Sequence, residues 1–140
     1  MSTPTGTVSA RWPPLATVIC GLLGVAAVSF ACASAIHMGL AFTLGTVTIA
    51  DPFPGAAIPE AILALVLGIG AFLVLTRRPG RWAGALAATL FAFLVTVYGL
   101  TVTVGGGRTA DIIYHVTVLV LLGITGGLLL LPAGRRALAG

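Results

Sequence analysis

Four long apolar segments alternate along the chain with short stretches rich in glycine, proline and arginine. They cover about residues 15–40, 58–76, 83–104 and 110–131, and about 20 apolar residues in a helix cross the roughly 30 Å hydrocarbon core of a bilayer. The pattern predicts an all-α integral membrane protein, a four-helix bundle. Residues 11–140 are expected to form this single four-transmembrane-helix domain, and residues 1–10, rich in Ser, Thr, Pro and Gly, a disordered tail.

The longest connection follows the first segment and ends in Asp51-Pro52-Phe53-Pro54-Gly55, which is unsuited to the interior of a spanning helix. Before it, Thr46-Val47-Thr48-Ile49 alternates between polar and apolar side chains, which favours a short extended piece or an interfacial turn. Pro59 suits the first turn of the second helix, where its missing N–H costs nothing, and Glu60 beside it is favoured by the positive end of the helix dipole. The second helix is therefore expected to begin near residue 58.

The other two connections are short. Arg77-Arg78-Pro79-Gly80-Arg81-Trp82 predicts a basic turn that joins the second and third helices directly, with the tryptophan at the membrane interface. Gly105-Gly106-Gly107 closes the third segment, Thr109 is the predicted N-cap of the fourth helix, and Pro132 ends that helix.

Composition and charge support lipid as the main solvent. The chain is 59% hydrophobic and 7% charged with a mean hydropathy of +1.16, outside the range of soluble globular proteins. The formal charge of +4 does not indicate nucleic-acid binding, because six of the seven arginines lie at segment ends and act as topology signals. These six fall on one side of the predicted topology: Arg11, Arg77, Arg78, Arg81, Arg135 and Arg136. The positive-inside rule then predicts a multi-pass plasma membrane protein with both termini in the cytoplasm.

Small side chains recur at helical spacing on the predicted spans. On the second span they are Ala57, Ala61, Ala64, Gly68 and Ala71, and the fourth carries Gly123 and Gly127. Such faces let helices approach closely in lipid. They predict either packing inside the bundle or the interface of a homo-oligomer.

Six polar side chains on four different spans share the outward half of the predicted bundle, away from the arginines. They are His37, Glu60, Tyr98, Asp111, Tyr114 and His115. Ionisable groups at membrane depth are costly and usually face the bundle interior or water. Their convergence predicts a ligand pocket at the outward end of the bundle.

Spacing relates some of these residues to one another. Asp111 and His115 are four residues apart, so the carboxylate lies on the same helix face as the imidazole and is placed to orient it. Tyr98 lies at about the depth of His115, because each is about 9 Å from its helix end at 1.5 Å per residue. Helix-dipole stabilisation of Glu60 and Asp111, and interfacial or packing roles for the tyrosines, are the structural alternatives.

In length, span count and hydropathy, the chain resembles the small four-span bacterial membrane proteins of the DoxX-like kind. The resemblance rests on no diagnostic motif and carries no functional residue with it. The sequence therefore leaves three hypotheses open. One is a pocket for a small amphipathic molecule such as a quinone, or a subunit of a membrane complex. The second is ligation of a b-type haem by His37 and His115. The third is a transition-metal or acid/base enzyme that uses the same histidines with Glu60 and Asp111. The sequence does not decide whether the protein is an enzyme.

Overall fold

The structure is a computed structural model that describes residues 12–139. Within that range the elements are α1 (Pro14–His37), β1 (Phe42–Leu44), β2 (Val47–Ile49), α2 (Pro54–Leu75), α3 (Arg81–Gly105), α4 (Thr109–Leu130) and α5 (Pro132–Leu138). The predicted disordered tail and Arg11 lie outside the described residues. The first four helices are long and apolar enough to span a membrane. The chain is therefore an all-helical, multi-pass type of membrane protein with one small hairpin.

The helices pack in chain order, and α4 closes the ring against α1. Large apolar side chains fill the centre, among them Ile19, Leu23, Leu67 and Leu122, which are almost completely buried. Many others cover the outside of the bundle, such as Leu65 and Leu94, and are more than half exposed. An outer surface of this kind suits acyl chains as its solvent.

The small residues of α2 border the interior rather than fill it. Ala57 is buried and the other four are half-buried, while Glu60, Leu63, Leu67 and Gly70 also lie on the buried face. A Cβ added at Gly70 would lie 3.1 Å from the Cβ of Ala88, so this glycine permits the close approach of α2 and α3. Around Gly68, by contrast, a Cβ would meet no atom of the described part of the chain within 4 Å. The predicted homo-oligomer interface on this face stays a prediction.

Two helix boundaries differ from the expectation. Helix α2 begins at Pro54 rather than near residue 58, so Pro59 lies inside the helix and Glu60 lies beyond its first turn. Pro54 occupies the favourable first position, and the one backbone bond lost at Pro59 is tolerated near a helix end. Helix α4 begins at Thr109 with Arg108, not Thr109, at the N-cap. The Arg108 side chain makes no cap bond, because it binds two carboxylates instead.

The chain does not end its helical structure at Pro132 as expected. Leu131 is extended, with φ −61° and ψ 142°, and Pro132 then starts the short helix α5. A residue before proline disfavours the helical conformation, whereas proline itself suits a first helical position. Arg81 donates to the carbonyl oxygens of Leu138 and Ala139 and holds α5 beneath the bundle.

The connection between α1 and α2 forms an antiparallel hairpin in which Phe42 pairs with Ile49 and Leu44 with Val47. These four apolar side chains share one face and are exposed, while Thr43 and Thr48 bond each other on the other face. The predicted extended piece at residues 46–49 is therefore the second strand. The hairpin returns the chain to Asp51 and Phe53 above the bundle end that carries His37.

Apart from Arg108, the arginines that the structure describes lie at the opposite end of the bundle from the acids. At the end formed by the turn between α2 and α3 and by α5, Arg77 stacks on Trp12 at 5.0 Å and Arg135 stacks on Trp82 at 4.9 Å. Trp82 also donates its indole N–H to the Leu129 carbonyl at 2.9 Å. All three acidic residues of the chain lie near the other end.

Candidate functional site

The end of the bundle opposite the arginine turn holds four buried ionisable side chains on three helices. His37 is the last residue of α1, Glu60 lies on α2, and Asp111 and His115 lie on α4. Each is at most 8% exposed. Ionisable groups are rarely buried unless they are paired. The hydrogen-bond and ion-pair partners of these four side chains therefore indicate what the site is able to bind.

His37 and Glu60 form the central pair. The Nδ1 atom of His37 lies 2.7 Å from Oε2 of Glu60 and makes a buried hydrogen bond between α1 and α2. The other carboxylate oxygen, Oε1, is buried without a hydrogen-bond partner among the described residues. The shared proton lies on Nδ1 or on Oε2, and in both cases Oε1 presents lone pairs. This oxygen needs a donor, because an unpaired buried acceptor costs about 1–3 kcal/mol.

Arg108 links the loop to α4. Its guanidinium donates to Asp111 through Nε and to Asp51 through a terminal nitrogen, and it lies 4.6 Å above the Phe53 ring. The hydrogen bond to Asp111, and to a smaller extent the one to Asp51, raises the pKa of Arg108 above its ordinary value. Asp51 and Arg108, which the sequence places as loop charges, are therefore part of one ion-pair network with the buried Asp111.

His115 is oriented differently from the expectation. Its Nδ1 donates to the backbone carbonyl of Asp111 at 2.7 Å, not to the Asp111 carboxylate, which binds Arg108. Since Nδ1 carries the proton of this bond, Nε2 keeps a lone pair in the neutral ring. Nε2 packs against α3 at Gly99, where an added Cβ would lie only 2.9 Å away.

A cavity of about 290 Å³ lies between α2 and α3 at this end. Its walls are mainly apolar, with Phe30, Leu63 and Val95 among them, and its polar wall includes Glu60 and His115. The hydroxyls of Thr96 and Thr103 also line it but already donate to carbonyls of their own helix. Exposed lining residues, Pro59, Tyr98 and Val102, place the opening on the side of the bundle.

Tyr98 and Tyr114 occupy different surroundings. Tyr98 is 70% exposed and lies at the mouth of this cavity, while its neighbour Gly99, rather than Tyr98 itself, makes the close approach to His115. Tyr114 accepts a hydrogen bond from Ser29 at 3.3 Å and lies edge-on to Phe30 and His115. It lines a second groove of about 350 Å³ between α1 and α4, together with His37, Asp51 and Asp111.

The two histidines line different cavities. His115 borders the space between α2 and α3, whereas His37 borders the groove between α1 and α4. Within residues 12–139, the metal-capable grouping joins His37 to Asp51 and Asp111, not to His115. This separation does not favour ligation of one haem or one metal by His37 and His115 together.

Three residues outside the predicted pocket contribute to the site. Asp51 and Arg108 are loop charges that the sequence allows to pair across the outward face, and Gly99 is a small residue that the sequence suggests as a helix contact. The available signal for the first two was charge, because the outward loops contain one acid and one base that are able to pair. The signal for Gly99 was a glycine inside an apolar helix, which often marks a close approach.

The four apolar helices are consistent with a small four-span membrane protein, whose buried ionisable side chains gather at one end of the bundle. Comparison with protein-family models, with curated proteins and with solved structures found no match. The resemblance to DoxX-like proteins is therefore not confirmed beyond the four membrane-capable helices.

Proposed function

We propose that this protein binds a small amphipathic molecule in the cavity between α2 and α3. The observation that carries the proposal is the buried carboxylate of Glu60, which lies in the wall of a mainly apolar cavity and has one oxygen without a hydrogen-bond partner in residues 12–139. Ligand sites combine an apolar lining with a few converging polar groups, and this cavity has that composition. Its opening faces sideways, where a molecule dissolved in the bilayer has access.

The polar groups favour a ligand with a hydrogen-bond donor in its head group. Oε1 of Glu60 is an acceptor, and Nε2 of His115 is an acceptor in the neutral ring because Nδ1 donates to Asp111. The threonine hydroxyls of the lining already donate elsewhere. A quinol or a lipophilic amine supplies the missing donor, and its apolar body matches Phe30, Leu63 and Val95.

The test uses full-length protein in lipid nanodiscs and native mass spectrometry. A decyl quinol and dodecylamine are the donor probes, and the matching decyl quinone, which only accepts hydrogen bonds, is the comparison. We expect the two donors to bind and the quinone to bind at least about tenfold more weakly, since an unmatched buried acceptor forfeits about 1–3 kcal/mol. Equal binding of quinol and quinone would contradict the donor requirement.

Two variants connect binding to this cavity. Glu60→Gln alters the acceptor, and Ala56→Phe fills the lining beside it. Ile58→Phe, on the same helix but 66% exposed to the outside, is the matched control for the added ring. Binding should fall in the first two variants and persist in the third. Binding that survives both Glu60→Gln and Ala56→Phe excludes this cavity as the site.

We further propose the plasma membrane as the location, with the arginine end in the cytoplasm. The asymmetric placement of the described arginines supports this orientation through the positive-inside rule. Fusions of alkaline phosphatase and of green fluorescent protein after residue 140 test it. Fluorescence without phosphatase activity is expected, and the opposite result would reverse the topology.

A further inference from the structure

The groove between α1 and α4 contains a second cluster that the ligand cavity does not use. His37 Nε2 lies 3.9 Å from Asp111 Oδ1 and 4.0 Å from Asp51 Oδ2. The three ligand atoms all lie within 4.8 Å of one another. We propose that this cluster is a binding site for a divalent first-row transition metal ion.

The electrostatic surroundings of His37 favour a cation beside its Nε2 atom. With Nδ1–H donated to Glu60, Nε2 of the neutral ring turns a lone pair toward two carboxylate oxygens. With both nitrogens protonated, Nε2–H lies too far from either oxygen for a hydrogen bond. In both states Nε2 and the two carboxylate oxygens surround a common point without hydrogen bonds to one another. A metal ion at that point would bind all three and would take the place of Arg108 on Oδ2 of Asp51.

The geometry is close to that of a metal site. An ion equidistant from the three atoms lies no more than about 2.5 Å from each, compared with about 2.0–2.2 Å for nitrogen and oxygen ligands of zinc. Movements of a few tenths of an ångström close that difference. One imidazole and two carboxylates suit zinc, iron or manganese better than magnesium, which prefers oxygen ligands alone.

The side chain that would orient the histidine ligand is already in place. Histidines that bind metals usually donate their other ring N–H to a carboxylate, which fixes the ring and the free nitrogen, and Glu60 does this for His37 at 2.7 Å. The site also opens to the aqueous side, because the Asp51 side chain is 42% exposed. An ion therefore reaches the cluster without crossing the bundle.

Arg108 is a built-in competitor for this ion. Its guanidinium holds both aspartates, and its side chain is 31% exposed and follows Gly107, whose φ of +68° suits glycine. Metal binding replaces one cation by another, and the arginine side chain moves toward solvent. Removing this arginine should therefore strengthen metal binding. A folding defect would weaken it instead, so the two effects are distinguishable.

The experiment uses the untagged full-length chain in maltoside micelles, stripped with a chelator and dialysed to equilibrium against Zn²⁺ or Mg²⁺, with elemental analysis. We expect one Zn²⁺ per chain and no retained Mg²⁺. Asp51→Asn should abolish binding, and Glu60→Gln should weaken it about tenfold, as expected when the hydrogen-bond partner of a metal-binding histidine is changed. Arg108→Gln should tighten it, whereas Arg78→Gln, an equal charge change at the other end, should not.

Several results would overturn the proposal. Absence of stoichiometric Zn²⁺ from both the wild type and Arg108→Gln removes the site. Zinc that is indifferent to Asp51→Asn, or that is lost in His115→Gln, lies elsewhere on the chain. Weaker binding in Arg108→Gln contradicts the competition. These results do not decide whether the cavity between α2 and α3 binds a ligand, because the organic probes and the Ala56→Phe and Ile58→Phe variants test that cavity separately.

Discussion

The buried hydrogen bond between His37 and Glu60 should couple the stability effects of substitutions at these two residues on α1 and α2. Both side chains are about 5% exposed and join through a 2.7 Å hydrogen bond. His37→Leu leaves the carboxylate buried with neither oxygen paired. Glu60→Leu leaves only the imidazole, whose neutral form is cheaper to bury. The double substitution removes both polar groups.

The magnitudes follow from what each variant leaves unpaired. Orphaning one member of a buried charged pair costs about 3–5 kcal/mol, and orphaning a neutral polar group costs about 1–3 kcal/mol. We expect His37→Leu to lower the free energy of unfolding by about 3 kcal/mol and Glu60→Leu by about 1 kcal/mol. The double variant should lose about 1.5 kcal/mol, which gives a coupling of about 2.5 kcal/mol within the range for contacting residues.

Reversible unfolding in mixed micelles of maltoside and dodecyl sulfate, followed by far-ultraviolet circular dichroism, measures these values. Thr125→Val is the control partner, because Thr125 is buried on α4 about 20 Å along the helix from Asp111. Combined with His37→Leu, it should be additive within about 0.5 kcal/mol. A double variant as unstable as the sum of the His37 and Glu60 single variants refutes the coupled pair.

Substitutions at two glycines test close approaches between chain segments, and a third glycine serves as their control. Gly99→Ala places a Cβ 2.9 Å from Nε2 of His115, so we expect the ring to shift and quinol binding in the nanodisc assay to weaken; unchanged binding would exclude this contact from the site. Gly134→Ala places a Cβ 1.9 Å from the Leu128 carbonyl oxygen, a backbone atom that has little room to move, and should lower the free energy of unfolding in mixed micelles by about 1–3 kcal/mol. Gly68→Ala, with nothing within 4 Å, should change neither measurement, and a loss of stability there would indicate a contact with a second chain.

The sequence predicted the helices well because lipid imposes a simple rule. A segment that crosses the hydrocarbon core must be apolar and must satisfy its backbone internally, so hydropathy alone locates four helices. The start of α2 was wrong because Pro54 and Pro59 both match a first-turn proline, and local sequence does not rank them. The short helix α5 was missed because Pro132 was treated only as a stop, although proline also starts helices.

The sequence predicted how deep along the helices the candidate side chains lie, but not which groups they bond. Helical spacing places Asp111 and His115 on one face, yet the imidazole bonds the Asp111 carbonyl because Arg108 takes the carboxylate. That competition depends on how the loop with Asp51 folds back over the bundle, which no local pattern specifies. Likewise, spacing gives the depths of His37 and His115, but only the packing order of the helices assigns them to different cavities.

Glu60 and His37 connect the two proposed sites through a single hydrogen bond. A metal ion on Nε2 of His37 would hold the proton on Nδ1, since the ring then has no other basic nitrogen. Glu60 would then stay ionised, and its Oε1 becomes a stronger acceptor for the donor group of a ligand in the neighbouring cavity. Because linkage between two binding equilibria is reciprocal, zinc should raise the affinity for the quinol by the same factor as the quinol raises the affinity for zinc. Glu60→Gln should remove that mutual effect even where some binding of each ligand remains.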